Sequence, residues 1–247
     1  MKRSFGWLPD PLDFRDFQFK RVHPKREIPK SMDLRAICSP IEDQGNIGSC
    51  TAQAGVGVYE FVGDKMKAPY EDKSRLALYW MTRSLEGTVP FDSGATLRNT
   101  VKAMAKFGLG NESKWPYVTD KFFEKPPQSF FQDASDHKIT AYQRLNTLDD
   151  VLGCLADGFA FMFGFSVYSS MMTDKVGKTG QIPMPKKTDS LEGGHAIVGV
   201  GYTEKERLII RNSWGRKWGD DGYGYLPFGY IKDRNLSDDF WTVRKQN

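Results

Sequence analysis

Apolar and polar positions follow different periods in the two halves of the chain. Between residues 51 and 62, Ala54, Val58, Phe61 and Val62 fall on one face of a predicted helix. A second helix runs from Arg75 to about Leu85, with Ser74 at its N-cap and Leu76, Tyr79, Trp80 and Arg83 at helical spacing. Thr96 opens a third, over about 97–107, which Gly108 closes. Residues 147–150 resemble a capping box and start a short helix to about Ala156. Beyond it the pattern becomes that of strands, over 159–167, 195–202, 207–211, 222–226 and 240–243, separated by glycine and charged turns. A helical stretch followed by a β-rich one predicts an α+β protein with its cleft between two lobes. The domain spans 28–247, with a helical lobe at about 40–140 and a β-rich lobe at about 141–243, to which 28–39 adds. No internal repeat or low-complexity segment interrupts it.

Residues 1–27 form an extension without a helical or strand period. Phe5, Trp7, Phe14, Phe17 and Phe19 are too many large rings for a solvated tail, so the extension is predicted to dock. Pro9, Pro11 and Pro24 suit an extended strap, whose 7–16 part would lie over the cleft. The other docking mode packs Phe14, Phe17 and Phe19 on the outside of the β-rich lobe. The basic start Met1-Lys2-Arg3 has no apolar stretch behind it, unlike a secretory signal. The longest apolar run, 159–167, is too short to span a bilayer. The chain therefore reads as cytoplasmic, or exported by a non-Sec route, with no membrane partner.

Composition narrows the function. With 39% hydrophobic and 27% charged residues, the chain is that of a globular protein able to bury a sizeable core. A net charge of +4, with no long Lys/Arg run, gives no argument for nucleic acid. Three histidines and three scattered cysteines do not make a metal site, and no cofactor is expected. Cys38 and Cys154 read as structural thiols.

Cys50 differs. The loop Gln44-Gly45-Asn46-Ile47-Gly48-Ser49 delivers it to the first turn of the first helix. Unpaired N–H groups and the positive dipole end there favour a thiolate, the nucleophilic form. His195 follows two glycines at the start of a predicted strand, and Asn212 ends the next strand of a hairpin, so the two can lie side by side with Trp214 over their contact. Cysteine catalysis needs these parts: an imidazole to take the thiol proton and return it to the leaving amine, and an amide oxygen to orient that imidazole. Donors for the tetrahedral oxyanion are also required, a role open to Gln44 and the Cys50 N–H.

In four places the chain resembles the papain-like (C1 family) cysteine proteases: Gln44-Gly45…Gly48-Ser49-Cys50, Gly194-His195-Ala196, the run Asn212-Ser213-Trp214-Gly215 with Trp218-Gly219 and Gly222-Tyr223-Gly224 beyond it, and the stretch from Ile28-Pro29 through Asp33-Leu34-Arg35. The resemblance implies a helical left lobe, a β-barrel-like right lobe and a cysteine endopeptidase. Its substrate would be a peptide or protein whose backbone pairs near Ser93-Gly94 and near Gly194, beside Trp214. It also implies autoinhibition by residues 1–27, as in relatives made as zymogens; pairing with an imidazolium and the helix terminus together would hold the Cys50 pKa at roughly 3.5–7.5. Ile47 stands where most relatives carry a second cysteine, and Asp92-Ser93-Gly94-Ala95 where Cys-Asn-Gly-Gly is usual, so the disulfide that anchors the loop is missing. Thr51 replaces an aromatic residue. These departures, with Gly6-Trp7-Leu8-Pro9-Asp10 and Arg15-Asp16-Phe17, resemble the bacterial, xylellain-like branch. An exopeptidase or transpeptidase of the same fold, and a silent peptide-binding homologue, stand as alternatives. His23 and His137 lack the paired arrangement that carboxylate-capturing relatives use.

Overall fold

The structure is a computed structural model that describes residues 4–23 and 27–245. The basic start at residues 1–3 and Pro24 lie outside the described residues.

The helices are α1 (Cys50–Lys65), α2 (Arg75–Glu86), α3 (Leu97–Phe107), α4 (Gln128–Ala134), α5 (Leu148–Ala156), α6 (Asp174–Thr179) and α7 (Phe228–Lys232). The strands are β1 (Trp7–Leu8), β2 (Met32–Asp33), β3 (Ala95–Thr96), β4 (Ala141–Leu145), β5 (Phe161–Tyr168), β6 (Leu191–Thr203), β7 (Arg207–Arg211), β8 (Tyr223–Pro227) and β9 (Ser237–Arg244). An antiparallel sheet runs in the order β4-β9-β5-β6-β7-β8, and β2 adds to β6. The architecture is the α+β, two-lobed one that the pattern predicts, and this strand order is open.

Local chemistry sets the helix ends. The Ser74 Oγ accepts from Ala77 N at 3.2 Å and the Thr96 Oγ1 from Asn99 N at 3.3 Å. Thr147 and Asp150 form a reciprocal capping box, each side chain accepting the other's backbone N–H at 3.1 Å. Gly87 ends α2 at φ 73°, a left-handed conformation that costs glycine little.

Packing corrects the reading of α1. Instead of one apolar face, it is buried on every side from Cys50 to Gly63. Leu76, Leu78, Val101 and Met104 belong to the same core as its side chains, as do Met162, Val198, Ile209 and Trp241 of the sheet. The second core lies in the β-rich lobe, with Phe19 of the extension added to it, and there the Phe163 and Phe240 rings stack at 4.9 Å. β6 begins at Leu191, so His195 stands inside the strand, opposite Phe165, rather than at its start. β4 carries no clear alternation and its pairing with β9 decides it. Among the described residues no helix is long and apolar enough to cross a membrane.

Thr147→Ala should remove half of the capping box and cost about 1 kcal/mol. A thermal melt should show this as a fall of about 2–4 °C in Tm.

Candidate active site

The loop before α1 is held on both sides. Gln44, fully buried, donates from its backbone N–H to the Ser213 carbonyl at 2.9 Å and accepts the Ser213 hydroxyl on Oε1 at 2.8 Å. Its Nε2 donates to the Ile47 carbonyl at 3.0 Å. The Tyr117 hydroxyl donates to the Gln44 carbonyl at 3.0 Å and lies 2.5 Å from the Ser49 hydroxyl. Ser49 is the N-cap and Cys50 the first helical residue, so the helix terminus does present the thiol.

From the other lobe, β6 brings His195 and the end of β7 brings Asn212. The His195 Nε2 lies 2.8 Å from the Asn212 Oδ1, and both side chains are buried. The Ser213 N–H donates to the same oxygen at 2.9 Å, which keeps it turned to the ring. The Trp214 indole stacks on the imidazole with centroids 4.8 Å apart and planes 25° apart. The backbone N–H of Ala196, next to His195, acts on the Cys50 thiol and favours its charged form, so the two lobes meet at the sulfur.

The extension occupies this meeting point. The Ser4 carbonyl accepts from Gln44 Nε2 at 3.2 Å, and the Gly6 N–H acts on the Cys50 thiol, favouring its charged form. The Gly6 carbonyl accepts from Ala95 N at 2.8 Å, and β1 pairs in parallel with β3. The Phe5 ring stands edge-on to His195 and to Trp214, at 6.3 Å from each. Main chain meets main chain here: a Cβ on Gly6 would fall 1.9 Å from the Gly48 carbonyl oxygen. Likewise a Cβ on Gly164 would fall 1.9 Å from the Trp7 indole. Of the predicted substrate-pairing residues, Gly94 faces Gly6 and Gly194 faces Trp7. Ser93 contributes a hydroxyl that donates to the Gly94 carbonyl at 3.1 Å.

Charge ties the segment down behind the cleft. The Asp239 carboxylate accepts Trp7 Nε1 at 3.1 Å and Asp10 N at 2.7 Å, and is paired to Arg144 at 2.7 Å. Asp10 accepts from Arg98 N and from Trp241 Nε1, each at 2.9 Å. Its burial, and then the neighbouring Asp239 charge, push its carboxyl up to about 7. The ring-packing expectation for the rest is met only by Phe19, which is buried in the β-rich core. Phe17 lies edge-on to Tyr142 but is largely exposed, and Phe14 is 99% exposed because the chain loops out there.

With this geometry in place, comparison with known proteins decides the family. Residues 28–238 match the papain family cysteine protease domain. The chain belongs to the papain family of cysteine proteases. It is 36% identical to an uncharacterised peptidase C1-like protein of Acanthamoeba polyphaga mimivirus, over 99% of this chain and 88% of the relative. Chymopapain of Carica papaya is 27% identical over 86% of this chain, which spans 58% of that relative's length. The crystal structure of xylellain, a cysteine protease from Xylella fastidiosa, superposes with a TM-score of 0.90 at 37% identity, covering 100% of this chain and 97% of that one. The resemblance to the xylellain-like branch is thereby met, and the activity is that of a cysteine endopeptidase, a hydrolase.

Cys50 itself is fully buried. Burial pushes its thiol up to about 11, against the backbone N–H groups of Ala196, Gly6 and Thr51, which favour the thiolate. The depressed value expected from the sequence does not hold while the cleft is covered, because desolvation outweighs the helix terminus. Cys154 is likewise pushed up to about 11 by burial, and Cys38 is raised by burial, as suits structural thiols. Sequence reasoning passed over Tyr117 and Ser213, whose polar groups order Gln44 and Asn212. Ser213 stands inside the Asn212-Ser213-Trp214-Gly215 run, whereas Tyr117 lies in no quoted motif.

Because the thiolate is the reacting form, alkylation of Cys50 in the intact chain should stay slow up to about pH 9, above the usual thiol value of about 8.5. Iodoacetamide rates against pH, with Cys50→Ser subtracting the other thiols, measure this. A rise centred at or below that usual value would show that the thiol is not covered.

Proposed function

We propose that Cys50, His195, Asn212 and Gln44 carry the hydrolysis, and that residues 4–10 hold the enzyme shut. The observation that supports it most is the Ser4 carbonyl on Gln44 Nε2: a main-chain carbonyl of the chain itself sits on the donor that a substrate's oxyanion would use. In the open enzyme His195 takes the Cys50 proton. The thiolate sulfur bonds to the scissile carbonyl carbon, and the oxyanion receives the Cys50 N–H and Gln44 Nε2–H. The C–N bond then breaks, with the His195 proton passing to the amine. Water, deprotonated by His195, cleaves the thioester and restores the thiol. Asn212 keeps the ring facing the sulfur, and Trp214 shields the His195–Asn212 contact.

An extended peptide fits the groups the strap now uses, pairing with main chain near Ser93-Gly94 and Gly194. Beside Trp214 a further cavity of about 370 Å³, lined by Met171, Met172, Thr173, Lys178 and Trp218 among others, is free of the strap. Autoinhibition follows from mass action: a cleft filled by its own chain is available to substrate only in the fraction of molecules in which the strap has lifted.

Cys50→Ala and His195→Ala should each abolish turnover of a small peptide, since nucleophile and base act as a unit. Asn212→Ala should be milder, and Gln44→Ala should lower kcat by about 10²-fold or more. Unchanged kcat in Gln44→Ala would remove that residue from the oxyanion site.

Gly6→Ala touches only the strap, yet its Cβ cannot coexist with the Gly48 main chain. It should raise kcat/KM by about tenfold or more while the Tm of the body is retained. Equal or lower kcat/KM would end the autoinhibition reading.

A further inference from the structure

The nucleophile loop lacks the cross-link usual at Ile47 and Asp92, yet it is not loose. We propose that Asp92 is a positioning residue for the oxyanion site, a hydrogen-bonded clamp standing where relatives use a disulfide. This rests on the role given above to Gln44.

Both carboxylate oxygens of Asp92 accept the Gly48 N–H, at 2.9 and 3.1 Å. The Asp92 Oδ1 also accepts the Tyr79 hydroxyl at 2.5 Å, and that hydroxyl in turn accepts the Gly94 N–H at 3.1 Å. One relay thus joins the loop before Cys50 to the strand-pairing main chain at Gly94. Its anchor is rigid. Tyr79 is fully buried on α2, and the Arg83 guanidinium lies 3.9 Å above its ring. Arg83 also donates to the Val89 and Phe91 carbonyls, each at 2.8 Å, and so fixes the chain that leads into Asp92.

The decisive point is which peptide is held. Ile47 C=O and Gly48 N–H belong to one planar unit. Gln44 Nε2 grips it by the carbonyl at 3.0 Å and Asp92 grips it by the N–H. Losing Asp92 frees that plane to rotate, and the carbonyl that orients the Gln44 amide rotates with it. A charge-assisted acceptor is suited to this task because it is stronger than a neutral one. Unlike a disulfide, it cannot be reduced.

The test is a double-mutant cycle read as kcat at saturating substrate, which displaces the strap, per active site titrated with an irreversible epoxide. Asp92→Ala should lower kcat about 10–100-fold, the scale of a misplaced group. Asp92→Asn, which keeps an acceptor oxygen, should recover to within about fivefold of wild type. In a Gln44→Ala background the Asp92→Ala loss should shrink to about threefold or less, because the amide it positions is gone. Equal losses in both backgrounds, or no loss with Gln44 present, would overturn the proposal. Should Asp92→Ala fail to fold, Tyr79→Phe removes only the hydroxyl. A kcat loss of about 3–10-fold that depends on Gln44 is then expected, and its absence counts against the clamp. Failure of the Gln44 role itself is read separately, as unchanged kcat in Gln44→Ala alone.

Discussion

Helix α1 is enclosed along almost its whole length by α2, α3 and the sheet, and the rest of the molecule is arranged around that constraint. A helix buried on all sides can meet a substrate only at an end. Its N-terminus is the end that offers unpaired N–H groups and a positive dipole. The same burial leaves α1 in the apolar layer shared by both lobes. Residues on β6 and β7 therefore reach its first turn from the far side, and the Ala196 N–H meets the Cys50 sulfur. Nucleophile loop and imidazole are brought together by this packing and by the hydrogen bonds that join Gln44 to Ser213.

A cleft built this way exposes main-chain donors and acceptors that must be satisfied by something. In this chain the extension does so: Ser4, Gly6 and Trp7 take up the Gln44 amide, the Ala95 N–H and the surface over Gly164 and Gly194. Glycine on both sides lets the two backbones close to van der Waals contact, and the Asp10–Asp239–Arg144 cluster fixes the segment from behind. Covering the site also removes water from the thiol, which shifts it toward the unreactive form. One contact surface thus lies over both the Gln44 amide and the Cys50 thiol.

Much was legible along the chain because it is local. Capping residues Ser74, Thr96 and Thr147 act within one turn, and the Gln44, Cys50, His195 and Asn212 motifs carry their own glycines and aromatics. These determined where helices start, that the fold is α+β, and which side chains are chemically apt. Tertiary structure decided what depends on partners distant in sequence. β4 is a strand because β9 lies beside it, and α1 is buried all round because both lobes close on it. Phe19 docks while Phe14 projects, although both are phenylalanines in the same aperiodic stretch, because only Phe19 meets the β-rich core. The state of Cys50 could not be read from its helix terminus, since a pKa sums every group and every lost water around the sulfur. Burial outweighed the local field.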